Sequence, residues 1–127
     1  MLERHLFEYA VIRVVPRVER EEFINAGIIL YCAKLKFLRA AYHLDSDRLS
    51  MFCADLNIED LEKNLEAFVQ ICMGTEAAGP IAKLDAASRF RWLTATRSTV
   101  LQTSKVHPGF CLDPTETIEK LKRDLVL

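Results

Sequence analysis

The chain has 127 residues, of which half are hydrophobic and 28% are charged, with a formal net charge of −1. We expect one domain, residues 1–127, because this length allows a buried core and the composition excludes a disordered chain. The small net charge excludes long-range attraction of the whole molecule to nucleic acid or acidic membranes. The charges are nevertheless unevenly distributed along the chain. Residues 45–66 carry seven acids against two bases, and residues 83–107 carry five bases against one acid.

Residues 6–15 predict the first strand. They are rich in tyrosine, valine and isoleucine, and they are apolar on both sides of the strand, which is typical of a central position in a sheet. Pro16 follows and removes a backbone donor, so we expect the strand to end there.

Residues 28–33 and 37–44 predict two further strands. The short connection at residues 34–36 favours a hairpin between them. Asn25 and Gly27 come just before the second strand, and both residue types suit a turn or bulge with positive φ.

Two helices are predicted next. Asp45 begins a short helical segment that runs to residue 52. A long helix follows, with Asn57 as its N-cap, acids in its first turn and Gly74 as its end. Its apolar residues fall on one face at helical spacing: Ile58, Leu61, Leu65, Phe68, Val69 and Cys72.

Residues 85–94 allow two interpretations. As a strand, Phe90 and Trp92 would share one side; as a helix, Asp85 would cap it and Phe90 would pair with Leu93. We favour the helix. Residues 98–104 predict a fourth strand, and residues 106–109 have turn chemistry.

The last helix has the clearest beginning in the chain. Asp113 is its N-cap, proline follows at the first helical position, and Glu116 occupies the capping-box position. Its buried stripe is predicted to contain Ile118, Leu121 and Leu125.

The order of these elements predicts the fold class. Strands joined mainly by hairpins, with helices added later in the chain, indicate an α+β protein rather than a parallel βαβ fold. We therefore expect a small antiparallel sheet of about four strands, packed on one face by two or three helices.

Cysteine spacing and hydropathy predict where the protein works. Cys32, Cys53, Cys72 and Cys111 are far apart in apolar surroundings, which favours reduced core thiols over disulfides or a zinc site. We expect no signal peptide and no membrane span, since charges interrupt the apolar stretch near the N-terminus. The chain is therefore predicted to be cytoplasmic, with no metal site and no cofactor.

His107 is the candidate for chemistry, because histidine titrates near neutral pH. A serine or cysteine nucleophile, with Ser98 and Ser104 as the nearest serines, would make a small hydrolase-like enzyme with His107 as base and Asp113 as orienting group. No local motif such as Gly-x-Ser-x-Gly supports this choice, so a structural turn histidine is the alternative.

The basic segment 89–107 is the candidate for binding an anion. Arg89, Arg91 and Arg97, together with the hydroxyl groups of Ser98 and its neighbours, suit a phosphate, a nucleotide or nucleic acid, and Trp92 offers a stacking surface. The alternative is that the aromatic residues are core and the arginines are solvated or pair with the acidic helix.

Four stretches taken together resemble the bacterial family called domain of unknown function 3037. They are YAVIRVVPR at residues 9–17, EFINAGIILYC at residues 22–32, RFRWLTATRSTV at residues 89–100 and VHPG at residues 106–109. The resemblance implies a small bacterial cytoplasmic protein without an assigned activity. It also implies a protein partner, for which a HipA-like kinase is the candidate.

Three hypotheses for function follow. The first is a non-catalytic binding or accessory domain that acts through a protein partner, the second is the anion or nucleic-acid module, and the third is the His107 enzyme. The candidate binding residues are Asn25, Arg89, Arg97, Ser98, Gln102 and His107, most of which lie in the stretches that carry the resemblance.

Overall fold

Five antiparallel strands form one sheet in the computed structural model, which describes residues 3–97 and 99–127. The order across the sheet is β3-β2-β1-β4, and β5 also pairs with β1. The strands are β1 (His5–Val14), β2 (Ile24–Cys32), β3 (Phe37–Tyr42), β4 (Leu101–Thr103) and β5 (His107–Cys111). The predicted central position of the first strand is confirmed.

The hairpin between β2 and β3 is also confirmed, with Tyr31 opposite Leu38 and Lys36 at φ 53° in the turn. The expectation of positive φ at Asn25 and Gly27 is wrong, because both residues lie in β2 outside the left-handed region. A register shift in the β1–β2 ladder occurs at Ile12/Arg13, so a bulge is present there. Gly27 serves close packing: a Cβ atom there would lie 2.7 Å from the carbonyl oxygen of Ala41.

β4 and β5 follow one another along the same edge of β1. β4 pairs with Ile12 to Val14, and β5 pairs with His5 to Tyr9. Ser104 lies between them, where its N–H donates to the Val11 carbonyl and its Oγ accepts from the Val11 N–H at 2.9 Å. The side chain thus takes the place of a backbone acceptor where the edge is interrupted between β4 and β5.

β5 corrects two predictions. Residues 106–109 were expected to form a turn, and the sheet was expected to have about four strands. Proline is tolerated in β5 because it lies on an edge strand. Gly109 allows close packing, since a Cβ atom there would lie 2.6 Å from Cζ of Phe7.

Four α-helices complete the fold of the described residues: α1 (Ser46–Phe52), α2 (Ile58–Met73), α3 (Ala86–Leu93) and α4 (Pro114–Leu125). Short 3₁₀ turns occur at Val18–Arg20, Glu76–Ala78 and Pro80–Lys83. Each α-helix begins at a side-chain cap that accepts from a backbone N–H, and these caps are Asp45, Asn57, Asp85 and Asp113. The helix interpretation of residues 85–94 is therefore confirmed, and Gly74 ends α2 at φ 70° as predicted.

The predicted α+β class with an antiparallel sheet is confirmed, and its detail of one covered face is corrected. Ala10 and Ile12 of β1 pack with residues of α2 and α3. Phe7 and Val11 of β1 point to the other face and pack with Ile118 of α4. Because β1 is apolar on both sides, helices have to pack on both faces of the sheet to bury its side chains. In α4 the buried residues are Pro114 and Ile118, whereas Leu125 is exposed.

The cysteines lie where the sequence predicts. Cys32, Cys72 and Cys111 are buried, Cys53 is partly buried, and all four are free thiols. Burial raises the pKa of Cys72 to about 12, so this thiol is protonated and unreactive near neutral pH. Within residues 3–97 and 99–127, no helix has the length and apolar character that a membrane span requires.

Candidate functional site

A concave groove lies along one side of α2 and continues past the start of the helix to Pro16 and Phe52. It consists of three adjoining cavities of about 410, 450 and 320 Å³. The first two share Asn64 and Val100, and the second and third share Pro16, Arg17, Cys53 and Asp55. We call the whole feature the α2 groove.

One wall of the α2 groove is a single helical face. The residues of this wall follow the i, i+3, i+4 spacing of one helical face, and they extend along nearly the full length of α2. They are Asn57, Asp60, Leu61, Asn64, Ala67, Phe68 and Ile71. From Asn57 to Ile71 this face extends about 21 Å at 1.5 Å per residue. The groove is therefore long and narrow rather than a single closed pocket.

The opposite wall comes from the end of α3 and the segment that leads into β4. Trp92, Ala95, Arg97 and residues 99–103 line the 410 Å³ cavity, which we call the Trp92 end. Trp92 is 41% exposed and Val100 is 38% exposed, so apolar surface faces the groove without a cover. Exposed apolar surface in a concave feature is typical of a binding site.

Arg97 is fixed in the Trp92 end by two contacts. Its guanidinium carbon lies 4.1 Å from the centre of the Trp92 ring, and its Nη2 donates to the Trp92 carbonyl. Stacking of this kind holds the charged group in place while its other N–H groups remain available. Gln102 lines the same cavity and donates from Nε2 to the Thr99 carbonyl at 2.9 Å.

The structure thus brings Arg97 and Gln102, two of the predicted binding residues, into one cavity. Ser98 lies outside the described residues. Asn25 is elsewhere, in β2, where its Nδ2 donates to the Leu125 carbonyl at 3.0 Å and ties the sheet to the end of α4. Asn25 and Gln102 do flank Arg13 in neighbouring strands, and Arg13 lies over the Phe23 ring at 3.9 Å.

Arg89 caps the end of α2. Its Nη1 donates to the carbonyl oxygens of Ile71 at 3.0 Å and Cys72 at 2.7 Å. Both carbonyls belong to the last turn of the helix, and that of Ile71 also accepts from the Gly74 N–H at 3.1 Å. The arginine gives each carbonyl a charged donor and complements the negative end of the helix dipole. Gly74 leaves room for this contact, since a Cβ atom there would lie 3.1 Å from Nη1 of Arg89.

We expect Arg89→Met to lower the free energy of unfolding by about 2 kcal/mol, because two hydrogen bonds from a charged donor are lost. Arg91→Met is the matched control from the same helix. Arg91 is exposed and lies 4.0 Å from Glu8, so its loss should cost less than about 1 kcal/mol. Urea unfolding followed by circular dichroism measures both; equal losses would show that Arg89 does not stabilise the end of α2.

The predicted basic surface is not assembled. Arg89 contacts the end of α2, Arg91 approaches Glu8 of β1, and Arg97 stacks on Trp92. The three guanidinium groups therefore contact three different parts of the fold. The alternative that they pair with the acidic helix is not seen either, since no salt bridge among the described residues joins them to α2.

His107 is exposed in β5, and its ring centre lies 5.4 Å from that of Tyr9. Ser104 uses its hydroxyl group in the strand junction, and Asp113 uses its carboxylate as the cap of α4. In the described part of the chain, no hydrogen bond joins His107 to Ser104 or to Asp113. The same residues hold no group of three histidine, cysteine or acidic side chains arranged for a metal.

Sequence reasoning missed most of the α2 groove. Asn64, Ala67 and Ile71 lie at the border of the apolar face of α2 and carry no motif of their own. One signal was available: in the helix interpretation of residues 85–94, Trp92 falls off the face shared by Phe90 and Leu93. An aromatic residue on the polar side of a helix indicates a contact outside the core.

The family model for "Protein of unknown function (DUF3037)" matches residues 9–126. This match covers nearly the whole chain. The chain belongs to the DUF3037 family. No curated protein and no solved structure matches it. Membership agrees with the resemblance noted above, and a function has to be argued from the α2 groove itself.

Proposed function

We propose that this DUF3037 chain is a non-catalytic binding domain that holds a segment of a partner protein in the α2 groove. The observation that carries the proposal is the continuity of the groove along one whole face of α2, with Trp92 and Val100 exposed to it. In this proposal the domain acts by binding. The proposal also includes a cytoplasmic location for the protein.

The dimensions favour a peptide segment over a small molecule. A wall of about 21 Å accommodates about six residues of extended chain at 3.3 Å per residue. A small ligand would occupy only one of the three cavities, each of which is 450 Å³ or less. An extended segment would use both of the cavities that α2 lines.

The charges near the groove favour a protein over nucleic acid. The lining of its three cavities has no excess of bases, since Glu22, Asp55 and Asp60 balance Arg17, Arg20 and Arg97. Glu59, Glu62 and Glu66 lie with Lys63 beside a shallow depression on α2. Among the described residues, Asp55, Asp60 and these three glutamates are in no salt bridge. Unpaired acids repel a phosphate backbone, which needs several bases on one surface.

The HipA-like kinase that the resemblance implies is the first partner to test. The kinase from the source organism should bind the purified chain in a titration followed by the emission of Trp92, the one tryptophan of the chain. If it does not bind, the identity of the partner is wrong, and the peptide experiment below decides whether the groove binds a segment of any protein.

The groove itself is tested by selecting a library of random nine-residue peptides, displayed on phage, against the purified chain. Ala67→Tyr is the blocked variant, because Ala67 is exposed on α2 and lines the Trp92 end. Ala77→Tyr is the matched control, an exposed alanine outside the groove. We expect enriched peptides to bind the wild type and Ala77→Tyr alike.

Those peptides should lose at least tenfold in affinity for Ala67→Tyr, measured by fluorescence anisotropy of the labelled peptides. Circular dichroism and thermal melting check that both variants are folded. A selection without enrichment, or peptides that bind all three proteins equally, would contradict the proposal.

A further inference from the structure

The two ends of the α2 groove differ in charge. At the Trp92 end, Arg97 is the charged side chain among the described lining residues. In the middle cavity, of about 450 Å³, the charged lining residues are Asp55, Asp60 and Arg17, so acids exceed bases by one. The third cavity has equal numbers of acids and bases in its lining, namely Asp55, Glu22, Arg17 and Arg20. The groove therefore has a positive end and, in its middle cavity, a small excess of acid.

Arg97 is placed to receive a carboxylate. No described acid forms a salt bridge with it, and its one hydrogen bond, to the Trp92 carbonyl, uses one of the five N–H donors of a guanidinium. The Trp92 ring fixes the plane of the group, and Gln102 and Asn64 add amide groups to the same cavity. A fixed guanidinium in a partly apolar cavity matches the geometry of a carboxylate.

Asp55 and Asp60 are placed to receive a base. Both are exposed, and neither has an ion-pair partner among the described residues. Arg17 lines the same cavity, so the middle cavity is not strongly charged by its lining alone. Glu59, which precedes Asp60 on α2 and is also unpaired, adds to the negative potential outside the groove.

We propose that the bound segment is bipolar: it carries a lysine or arginine that pairs with Asp55 and Asp60, an aspartate or glutamate that pairs with Arg97, and apolar side chains between them. This inference rests on the proposed function. Complementary charges of this kind select the partner and fix its register more than they add affinity.

The spacing of the two charges in the segment follows from α2. The Trp92 end is lined by α2 from Asn64 to Ile71, and residues 67 to 71 lie seven to eleven positions beyond Asp60. At 1.5 Å per residue this separation is about 10–16 Å along the helix. An extended segment spans that distance with about three to five residues.

The test repeats the phage selection with charge-reversed proteins. The wild type should enrich peptides with a base and an acid three to five positions apart. Arg97→Glu should enrich peptides with a base at both positions, and Asp55→Lys/Asp60→Lys should enrich peptides with an acid at both. Glu119→Lys, which is exposed on α4, is the control and should enrich the wild-type pattern.

Synthetic peptides of the enriched sequences give the size of the effect. We expect each charge reversal in the protein to lower the affinity for the wild-type peptide at least tenfold. The same variant should bind the peptide with the matching reversed charge as tightly as the wild type binds its own peptide. Raising the salt concentration should weaken binding to the wild type more than to the neutral variant Arg97→Gln. If Arg97→Glu is unfolded by circular dichroism, Arg97→Gln replaces it and should lose the preference for the acid.

The outcomes separate this inference from the proposed function. Suppose that the enriched peptides lose affinity for Ala67→Tyr but carry no charge pattern, or that Arg97→Glu enriches the same charge pattern as the wild type. Either result would overturn the bipolar segment and leave the groove as a binding site. Peptides indifferent to Ala67→Tyr would overturn both.

Discussion

Phe90→Ala is expected to lower the free energy of unfolding by about 3–5 kcal/mol, whereas Trp92→Ala should lower it by about 1 kcal/mol. Phe90 is fully buried with Ile12, Leu65 and Leu93, and its ring centre lies 5.4 Å from that of Tyr31. Removing it leaves a cavity under α3. Trp92, two residues later, is 41% exposed, and Arg97 stacks on its ring.

The comparison tests in solution that Phe90 and Trp92 lie on different faces of α3. In a strand, Phe90 and Trp92 would share one side, and the two alanine substitutions would have similar costs. In a helix they face different ways, and only Phe90 reaches the core. Urea unfolding followed by circular dichroism at 222 nm serves both variants, because it does not depend on tryptophan emission.

Trp92→Ala has a second expected result that Phe90→Ala does not share. Peptides selected on the wild type should bind a folded Trp92→Ala protein more weakly, because the apolar wall and the support for Arg97 are both lost. Equal losses of stability in the two variants, or unchanged peptide affinity with Trp92→Ala, would contradict the placement of these side chains.

The elements that the sequence predicts correctly are those with local signals. Asp45, Asn57, Asp85 and Asp113 each accept a backbone N–H at the start of a helix, and this cap chemistry is visible in the sequence. The apolar face of α2 likewise follows from spacing alone, since Leu61, Leu65, Phe68 and Cys72 are all buried.

The elements that were missed depend on contacts between distant residues. Pro108 and Gly109 have turn chemistry, yet they form β5 because the exposed edge of β1 accepts them and Gly109 lies against Phe7. Position in the sheet overrides local preference in such cases. The cover of the second face by α4 depends on Val11 and Ile118, which are far apart in sequence.

The candidate site was predicted only in part for the same reason. Arg97 and Gln102 were singled out because they lie in the polar, basic segment 89–107, and they do line one cavity. Arg89 was singled out in the same way, but its partners are the carbonyls of Ile71 and Cys72, which no local pattern connects to it. The groove forms between α2 and a segment about 30 residues later in the sequence. Hydrophobic spacing predicts only the wall that α2 provides.

Gly27→Ala is expected to lower the free energy of unfolding by about 3 kcal/mol or more, at the upper end of the cost of overpacking. The added Cβ would lie 2.7 Å from the Ala41 carbonyl oxygen, 3.0 Å from Cβ of Tyr42 and 3.2 Å from Cδ1 of Ile12. The closest atom is backbone in β3, directly across the ladder, where Gly27 pairs with Tyr42. Relief therefore requires the strands to move apart.

Gly109→Ala is the informative comparison, because its added Cβ would meet a side chain instead, the ring of Phe7 at 2.6 Å. Phe7→Leu removes that ring, so the double variant Gly109→Ala/Phe7→Leu should be more stable than the sum of the two single losses predicts. Ile12→Val shortens the one flexible neighbour of Gly27, but it leaves the Ala41 carbonyl in place. The double variant Gly27→Ala/Ile12→Val should therefore show no such rescue in urea unfolding. Rescue at Gly27 would mean that the side chain of Ile12, rather than the spacing of β2 and β3, requires glycine at the centre of this sheet.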